Sequence, residues 1–360
     1  MQTRIDRVIE SLPSFGCQAL LIEEPVDLYY LTKQDLSLGA LWISREKTEL
    51  IVDSRYFESC QKNCSISVAL LNEKSLPSLM NLIPSGNLGF DSAKTTYCRA
   101  EKLRTLGKEA MVDLLPIQSP LKRIRGVKTV SEIEELKRAA ALNVEGYNFI
   151  LSHLKCGVSE KKVMEALKIF WIEKGSESVS FDPIIAFGEN GAMPHHHTGE
   201  RLLQKGDSVL IDIGVTWNHY QSDMTRVVFF GEPPKKIVEI FDIVYEAQEK
   251  SLSLCRPGVS LRDLDDAARS FITKNDYGHC FSHSLGHGVG LEIHEWPIIR
   301  SVGEDAKETL EPGMVITIEP GIYVPGLGGV RIEDTILITE TGYEVLTGAK
   351  KRKEDSWINP

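Results

Sequence analysis

The sequence has few of the features that mark secreted or membrane-bound proteins. Its seven cysteines are scattered, and only Cys60 and Cys64 lie close together, at a spacing that is not typical of a zinc site. We therefore expect reduced thiols rather than a disulfide framework. Charged residues interrupt the N-terminal segment 1–21 at helical spacing. We expect no signal peptide, no membrane span and a cytoplasmic location.

Basic residues are also in the minority. The chain has 41 Lys and Arg against 51 Asp and Glu, and its formal net charge is −10 at pH 7. A nucleic-acid or anionic-membrane surface needs clustered Lys and Arg, so we expect neither partner. With 42% hydrophobic and 26% charged residues, the composition is that of a globular protein. The length of 360 residues suggests two domains.

Short apolar runs between turn residues predict a smaller α/β domain in the first third of the chain. The runs are ALLIEE, ALWIS, ELIVDS, SISVALL and NLGFDS. A basic run near residue 120 then precedes a strong helix start, for which Ser131 and Glu134 would form a capping box. We assign residues 1–125 and 126–360 to the two domains. The second is predicted to be α+β, with helices at about 131–153 and 159–174 and a further helix pair between about 235 and 275.

Two aspartates lie in neighbouring apolar runs of the second domain. If the segment DSVLIDIGVTWNHYQSDMTRVVFFG forms a hairpin that turns at Trp217 and Asn218, then Asp212 and Asp223 are directly opposite each other. Two carboxylates that close repel, and a cation between them is the simplest compensation. The alternatives are that one aspartate faces solvent or that the hairpin has another register.

Two glutamates repeat this pattern near the C-terminus. Glu319 and Glu333 are equidistant from Gly326, at the centre of the turn signal PGLGG, so a hairpin there would again bring two carboxylates together. Asp334 should point to the other face of its strand and be structural or solvated.

The stretch HSLGHGVGLEIHEWP adds three histidines and three glycines. Four carboxylates with a neutral imidazole balance two divalent cations, and this oxygen-rich set suits Mn²⁺, Co²⁺, Zn²⁺ or Mg²⁺. Two such metals can activate a shared water and polarise a carbonyl, which is hydrolytic chemistry. Gly286, Gly288 and Gly290 would let the backbone pass close to the metals.

These motifs resemble those of the metal-dependent Xaa-Pro peptidases, aminopeptidase P and prolidase, of the pita-bread (creatinase/aminopeptidase) fold. The matching segments are IDIGVTWNHYQSDMTR, HSLGHGVGLEIHEWP, TIEPGIY and GGVRIEDT, in the family's order and spacing. VDLYYLT and LIVDSRYF resemble the creatinase-type N-terminal domain of the Xaa-Pro branch. The resemblance covers nearly the whole chain.

The resemblance implies a set of five metal ligands for two divalent ions, with Mn²⁺ expected and Co²⁺ or Zn²⁺ as alternatives. Asp212 would bind one metal, and His287 and Glu319 would complete the shell of the other. Asp223 and Glu333 would bridge the two metals.

The resemblance also implies a set of catalytic residues. Glu319 would act as general base, and His283 and His294 would hold the substrate carbonyl. His195 matches the functional histidine of GAMPHHHTGE, whereas His196 and His197 are expected to be solvated. A further catalytic-site residue is Arg331, which would orient a carboxylate. Tyr323 either packs in the core or supports the site.

The expected activity is removal of the N-terminal residue from short peptides with proline second, as by an aminopeptidase P. The alternative is a prolidase, which cleaves Xaa-Pro dipeptides and needs a cation for the substrate carboxylate. Arg300 is a candidate for that cation, or a surface residue. A more remote alternative is a non-catalytic binding module on the same fold. The resemblance further implies a homodimer.

Overall fold

The computed structural model describes residues 3–359, which divide into two compact units, Met1–Ile124 and Arg125–Pro360. A mixed β-sheet forms the centre of the first unit. Its strands are β1 (Ala19–Ile22), β2 (Ala40–Ser44), β3 (Thr48–Val52), β4 (Ser67–Leu70), β5 (Asn87–Asp91) and β6 (Asp113–Ile117). Their order is β4-β3-β2-β1-β5-β6, with β1 antiparallel to β2 and parallel to β5. The five predicted strands of this region are confirmed as β1 to β5.

Helices connect these strands, as expected for an α/β unit. They are α1 (Arg4–Phe15), α2 (Pro25–Thr32), α3 (Ser54–Asn63), α4 (Ser75–Met80), α5 (Tyr97–Glu109) and α6 (Lys122–Gly126), the last of which crosses the boundary between the units. Leu21, Trp42 and Leu88 are buried on the sheet and belong to the core of this unit.

The four predicted helices of the second unit are present. They are α7 (Val130–His153), α8 (Glu160–Glu173), α9 (Lys235–Leu252) and α10 (Leu261–Lys274). The predicted N-cap of α7, Ser131, is wrong. The N-cap is Thr129, and Glu132 completes the capping box. Thr129 is as good an N-cap as Ser131, and it is followed by an acidic residue at the same spacing, so the sequence offers both solutions.

Strands of the second unit form several sheets. They are β7 (Ser178–Val179), β8 (Ile184–Phe187), β9 (Asp207–Ile213), β10 (Val215–Trp217), β11 (Tyr220–Gln221), β12 (Met224–Phe230), β13 (Gly286–Gly288), β14 (Glu295–Ile299), β15 (Val315–Ile318), β16 (Gly321–Val324), β17 (Gly328–Arg331), β18 (Asp334–Ile338), β19 (Tyr343–Val345) and β20 (Trp357–Ile358). The sheet orders are β11-β10-β7, β20-β12-β9-β8, β14-β13-β15-β18-β19 and β16-β17.

The sheet β20-β12-β9-β8 is buried on both faces. Side chains alternate between two cores along its strands: Ile211 and Val228 pack with α7 and α8, whereas Leu210 and Val227 pack with α9 and α10. Because both faces are apolar, the strands read as continuous hydrophobic runs, and a charged residue within them stands out. Within residues 3–359, no helix combines the length and the apolar character that crossing a membrane requires.

Candidate active site

The first carboxylate pair is carried by a hairpin whose turn lies one residue later than predicted. The chain turns at Asn218 and His219, whose φ values are 46° and 67°, and not at Trp217 and Asn218. A two-residue turn of type I′ needs positive φ at both central positions, and Asn is among the residues that tolerate it best. The backbone N–H of His219 also donates to the carboxylate of Glu177. Local turn chemistry therefore outweighs the symmetric placement of the two aspartates.

The shifted turn changes the partner of each aspartate. Asp212 in β9 lies opposite Thr225 in β12, and Asp223 immediately precedes β12. The prediction that the two aspartates face each other directly is thus wrong. Asp223 is two residues before Thr225, so it is a diagonal neighbour of Asp212 on the same face. Both carboxylates line one pocket.

The second carboxylate pair has the predicted register. Strands β15 and β18 pair Ile318 with Asp334, and β16 and β17 pair Gly321 with Arg331. Glu319 and Glu333 fall in the gap between these two ladders. Both line the same pocket as the aspartates. Glu333 is held in place by Thr225, whose hydroxyl donates to Oε2 at 2.7 Å.

The imidazole of His287 faces these carboxylates with a free lone pair. Its Nδ1 lies 3.0 Å from the carbonyl oxygen of Gly288. A carbonyl can only accept, so Nδ1 carries the proton and Nε2 is the unprotonated nitrogen. Nε2 lies 3.6 Å from Oδ2 of Asp223 and 3.4 Å from Oε1 of Glu319. When these carboxylates are ionised, acceptor atoms face one another without a donor between them.

The glycines around His287 serve strand packing. A Cβ on Gly286 would lie 2.0 Å from the carbonyl oxygen of Thr317, and one on Gly288 would lie 2.4 Å from that of Trp296. At Gly290 the neighbour would be the carboxylate of Glu295, at 2.2 Å. The three glycines are needed because neighbouring strands and side chains approach closely.

Arg331 is the buried cation of the site, and its guanidinium holds three groups at once. One Nη donates to Asp212, the other donates to the hydroxyl of Tyr323 at 2.7 Å, and Nε donates to Thr225 at 3.1 Å. The hydroxyl of Tyr323 lies 2.9 Å from Nε2 of His283. Because Nδ1 of His283 faces the carbonyl of Ser284, Nε2 is the acceptor and the tyrosine donates to it. Tyr323 thus links Arg331 to His283.

Burial shifts the pKa values of the carboxylates upward. Burial raises the pKa of Asp223 and of Glu319, and in both cases the charge of Glu333 adds to the effect. Burial, followed by repulsion from Asp212, raises the pKa of Glu333 to about 8. These carboxylates favour the neutral form unless a cation compensates for their charge.

Burial shifts the histidines in the opposite direction. It lowers the pKa of His283 to about 4 and that of His287 to about 3. Burial also lowers the pKa of the more exposed His294. At neutral pH the imidazoles of His283 and His287 are uncharged, which is the form that can bind a metal.

The sequence-predicted site residues lie together around a pocket of about 390 Å³. Its wall includes all nine of them: His195, Asp212, Asp223, His283, His287, His294, Glu319, Arg331 and Glu333. The remaining lining residues are Phe181, Ile184, Pro194, Ser284 and Ile298. Four of these five are apolar, so the carboxylates lie at one side of a pocket with an apolar wall.

The donor set fits a divalent cation. Ligand atoms of Asp223, His287 and Glu333 lie within 4.8 Å of one another. Oδ1 of Asp212 is buried and accepts no hydrogen bond from the described part of the chain, whereas Oδ2 of the same carboxylate accepts one from Arg331. An acceptor of this kind costs free energy unless it is paired, and a cation would satisfy it.

The expectation for His196 is wrong, and the structure decides between the two alternatives given for Asp334 and for Arg300. His196 is not solvated, because its Nε2 lies 2.9 Å from the buried carboxylate of Glu160. Asp334 is structural, in a buried ion pair with Arg226, so its solvated alternative is wrong. Arg300 is exposed and is not among the residues that line the pocket. His197 is exposed, as expected.

Sequence patterns did not reveal the supporting roles of Thr225 and Glu160. Thr225 is an ordinary strand residue in the sequence, and the hairpin register that pairs it with Asp212 could have identified it. Glu160 has the signature of a first-turn helix acid, which already explains an acidic residue there.

A mixed α+β fold and a buried carboxylate–histidine pocket together define a metallohydrolase-like protein. Comparison with known proteins supports this class of protein. Residues 134–340 match the model of metallopeptidase family M24, and residues 4–127 match the creatinase/prolidase N-terminal domain. The chain belongs to metallopeptidase family M24, and the predicted fold of a creatinase-type N-terminal domain followed by a pita-bread catalytic domain is confirmed.

Relatives include both kinds of Xaa-Pro peptidase. The chain is 34% identical to an Xaa-Pro dipeptidase of Pyrococcus furiosus, over 98% of this chain and 99% of the relative. It is similar to the crystal structure of a prolidase from Pyrococcus horikoshii, with a TM-score of 0.89, 33% identity and coverage of 97% and 99% of the two chains. An X-Pro aminopeptidase from Thermotoga maritima has a TM-score of 0.85 and 30% identity, with coverage of 99% and 100%. The expected enzyme class, a metallopeptidase of the Xaa-Pro type, is confirmed. The comparisons do not support the alternative of a non-catalytic binding module.

Proposed function

We propose that this protein is a dinuclear-metal Xaa-Pro dipeptidase, that is, a prolidase. The observation that supports the metal centre is a cluster of four carboxylates, three of them buried, around the unprotonated Nε2 of His287. The names of the relatives support the dipeptide substrate, because prolidases and Xaa-Pro dipeptidases are prominent among them. They favour the prolidase alternative over the aminopeptidase P activity that the sequence analysis expects.

The proposed ligands are Asp212, Asp223, His287, Glu319 and Glu333, with Mn²⁺ as the expected metal and Co²⁺ or Zn²⁺ as alternatives. When bound, two such cations would acidify a water molecule and polarise the scissile carbonyl. A tertiary X-Pro amide has no N–H for recognition, so this kind of attack suits it.

The side chains of the pocket would perform the remaining steps. Glu319 would accept the proton of the attacking water, because its carboxylate lines the pocket beside the other proposed ligands. His283 is fixed by Tyr323, and the exposed His195 and His294 lie at the mouth, where they would contact the substrate. Arg331 would keep Asp212 in the orientation that a metal needs.

One observation favours aminopeptidase P as the second candidate. A dipeptidase needs a positive group for the substrate carboxylate. Among the described residues that line the pocket, the only Arg or Lys is Arg331, and it is already bound to Asp212, Tyr323 and Thr225. The histidines and the hydroxyl of Ser284 remain as partners for a carboxylate within the pocket wall. A pocket without a free Arg or Lys suits a longer peptide equally well.

The experiment that tests the proposal uses two substrates. The protein is stripped with chelator and reloaded with Mn²⁺, and cleavage of Ala-Pro and Ala-Pro-Ala is followed by mass spectrometry. We expect metal-dependent cleavage of Ala-Pro, little cleavage of the tripeptide, and loss of both in Glu319→Gln. Faster cleavage of the tripeptide would favour aminopeptidase P. No cleavage of either with any metal would contradict the substrate class, and metal analysis of the same samples would test the metal centre separately.

Assembly and location are part of the proposal. We infer a homodimer, as the resemblance of the sequence implies, and a cytoplasmic location, which the scattered cysteines favour. Light scattering at working concentration tests the dimer, and a monomer mass would contradict it.

A further inference from the structure

Glu160 is a fully buried carboxylate that does not belong to the pocket. It lies in the first turn of α8, and its side chain has no exposed surface. Four donors surround its two oxygens. They are the backbone N–H of Phe187 at 2.8 Å, Nδ2 of Asn190 at 2.8 Å, Nε2 of His196 at 2.9 Å and the backbone N–H of Gly199 at 3.0 Å. Four hydrogen bonds fill the acceptor capacity of a carboxylate.

All four donors belong to one short segment, residues 187–199. This segment carries His195 to the pocket, and we call it the His195 segment. Its middle packs closely on β17, where a Cβ on Gly191 would lie 3.2 Å from the backbone nitrogen of Gly329. Near its end, Thr198 accepts from the backbone N–H of Ile185 at 2.9 Å. Glu160 thus binds the beginning, the middle and the end of the segment at once.

The side chain of His195 is not fixed by hydrogen bonds of its own. Its side chain lines the pocket, is exposed, and makes no hydrogen bond within residues 3–359. The position of its imidazole therefore depends on the backbone on either side. Pro194 precedes it and fixes its own φ. His196 follows it, and only 9% of the His196 side chain is exposed, against Glu160.

We propose that His196 is a positioning residue, which through its hydrogen bond to Glu160 fixes the backbone next to His195 and holds that imidazole at the mouth of the pocket. The role of His195 in this inference rests on the proposed function. His196 does not line the pocket and contacts no reacting group. The adjacent His197 is exposed and gives a matched control, since it has the same side chain one residue further along.

The test is a double-mutant cycle on the Mn²⁺-loaded full chain, with Ala-Pro as substrate. The proteins are the parent, His195→Ala, His196→Ala and the double variant, with His197→Ala as control. Displacement of a catalytic group by about 1 Å can cost about a hundredfold in rate. We expect His196→Ala to lower kcat/KM by roughly ten- to a hundredfold in the parent. In the His195→Ala background the same change should have an effect of less than about twofold, because the group it positions is already gone.

A second measurement does not depend on activity. Hydrogen exchange should be faster in the His195 segment of His196→Ala than in the parent, with the other segments and the metal content unchanged. His197→Ala should match the parent in both measurements. His196→Gln retains an N–H donor toward Glu160 and should recover most of the activity. If His196→Ala does not fold, Asn190→Ala removes another donor of Glu160 in the same segment and takes its place in the cycle.

Two results would overturn the proposal. One is an equal loss of kcat/KM from His196→Ala with and without His195, which would mean general damage to the fold. The other is unchanged hydrogen exchange in the His195 segment. A parent protein that cleaves no Xaa-Pro peptide would instead contradict the proposed function, and the exchange data would then decide the role of His196 alone.

Discussion

Arg331 shows how much of the site depends on one side chain. Its planar guanidinium donates in three directions, to Asp212, Thr225 and Tyr323, and each acceptor belongs to a different strand. It is also a cation among buried carboxylates whose pKa values are raised by burial. A lysine carries the same charge but is a point donor without this fork.

We predict that Arg331→Lys weakens metal binding and lowers kcat/KM by roughly ten- to a hundredfold, as is usual when a group that orients a metal ligand is lost. Titration of the chelated protein with Mn²⁺ measures the affinity. Tyr323→Phe removes one acceptor of Arg331 and leaves Asp212 bound, so its loss of affinity should be smaller. A lysine variant with the metal affinity of the parent would show that Asp212 does not need the guanidinium.

At the scale of single residues, the sequence predicted which residues line the pocket better than which residues hold them in place. Every predicted site residue lines the pocket. Spacing in two hairpins and one glycine-rich stretch pointed to the carboxylates and a histidine, and the resemblance to the Xaa-Pro peptidases supplied the others, including His195. The hydrogen bond between Glu160 and His196 joins residues 36 positions apart, and that from Thr225 to Glu333 joins residues 108 apart. Neither spacing follows from a periodic pattern, so tertiary packing alone brings these pairs together.

Among the elements, the hairpin of β9 to β12 shows where local conformation overrides a symmetric pattern. Its turn residues Asn218 and His219 are both left-handed, and this sets the register that pairs Asp212 with Thr225. The second hairpin has the register expected from its PGLGG turn, because Gly326 and Gly328 supply positive φ where the chain needs it. Helix positions were predicted well since long periodic segments are the clearest signals, whereas the α7 cap was not.

We predict that Asn218→Val destabilises the protein by about 1–2 kcal/mol, because a β-branched side chain in the left-handed region meets the following carbonyl oxygen. Asn218→Gly is the matched control, since glycine adopts the same φ freely, and we expect a change within about 0.5 kcal/mol of the parent. Urea unfolding of the metal-free proteins measures both. A valine variant as stable as the glycine variant would show that the turn is not under this constraint.

Across the whole second unit, a buried polar network connects the site to the C-terminal segment. Arg226 in β12 donates to the carbonyl of Glu333, to Asp334 and to the carbonyl of Thr347. Lys351 also binds Asp334, at 2.9 Å. The last part of the chain therefore helps to hold the strand that carries Glu333. Charged groups this deeply buried stabilise a fold only as a complete set, which links the stability of the site to that of the unit.

This linkage gives the metal-free protein a distinctive dependence of stability on pH. Burial, followed by repulsion from Asp212, raises the pKa of Glu333 from 4.5 to about 8. A raised pKa means that the folded protein retains a proton that the unfolded chain releases, so this stabilisation is present below pH 4.5 and is lost as the pH rises through 8. Burial lowers the pKa values of His283 and His287 from 6.5 to about 4 and about 3, and their contribution is present above pH 6.5 and lost on acidification.

The two effects separate above pH 6.5, where the histidine contribution no longer changes. We predict that the melting temperature of the chelated protein falls between pH 6.5 and pH 8, in the direction set by Glu333 and reinforced by the raised pKa values of Asp223 and Glu319. Mn²⁺ should stabilise the protein more at pH 8 than at pH 6.5, because fewer protons must leave the ligands. Thermal unfolding at both pH values, with chelator or with Mn²⁺, measures this.

The control is Glu333→Gln, which removes the titrating group and should flatten the dependence of the melting temperature on pH in the chelated protein. A chelated parent that became more stable between pH 6.5 and pH 8 would contradict the assignment of the proton to the carboxylate cluster.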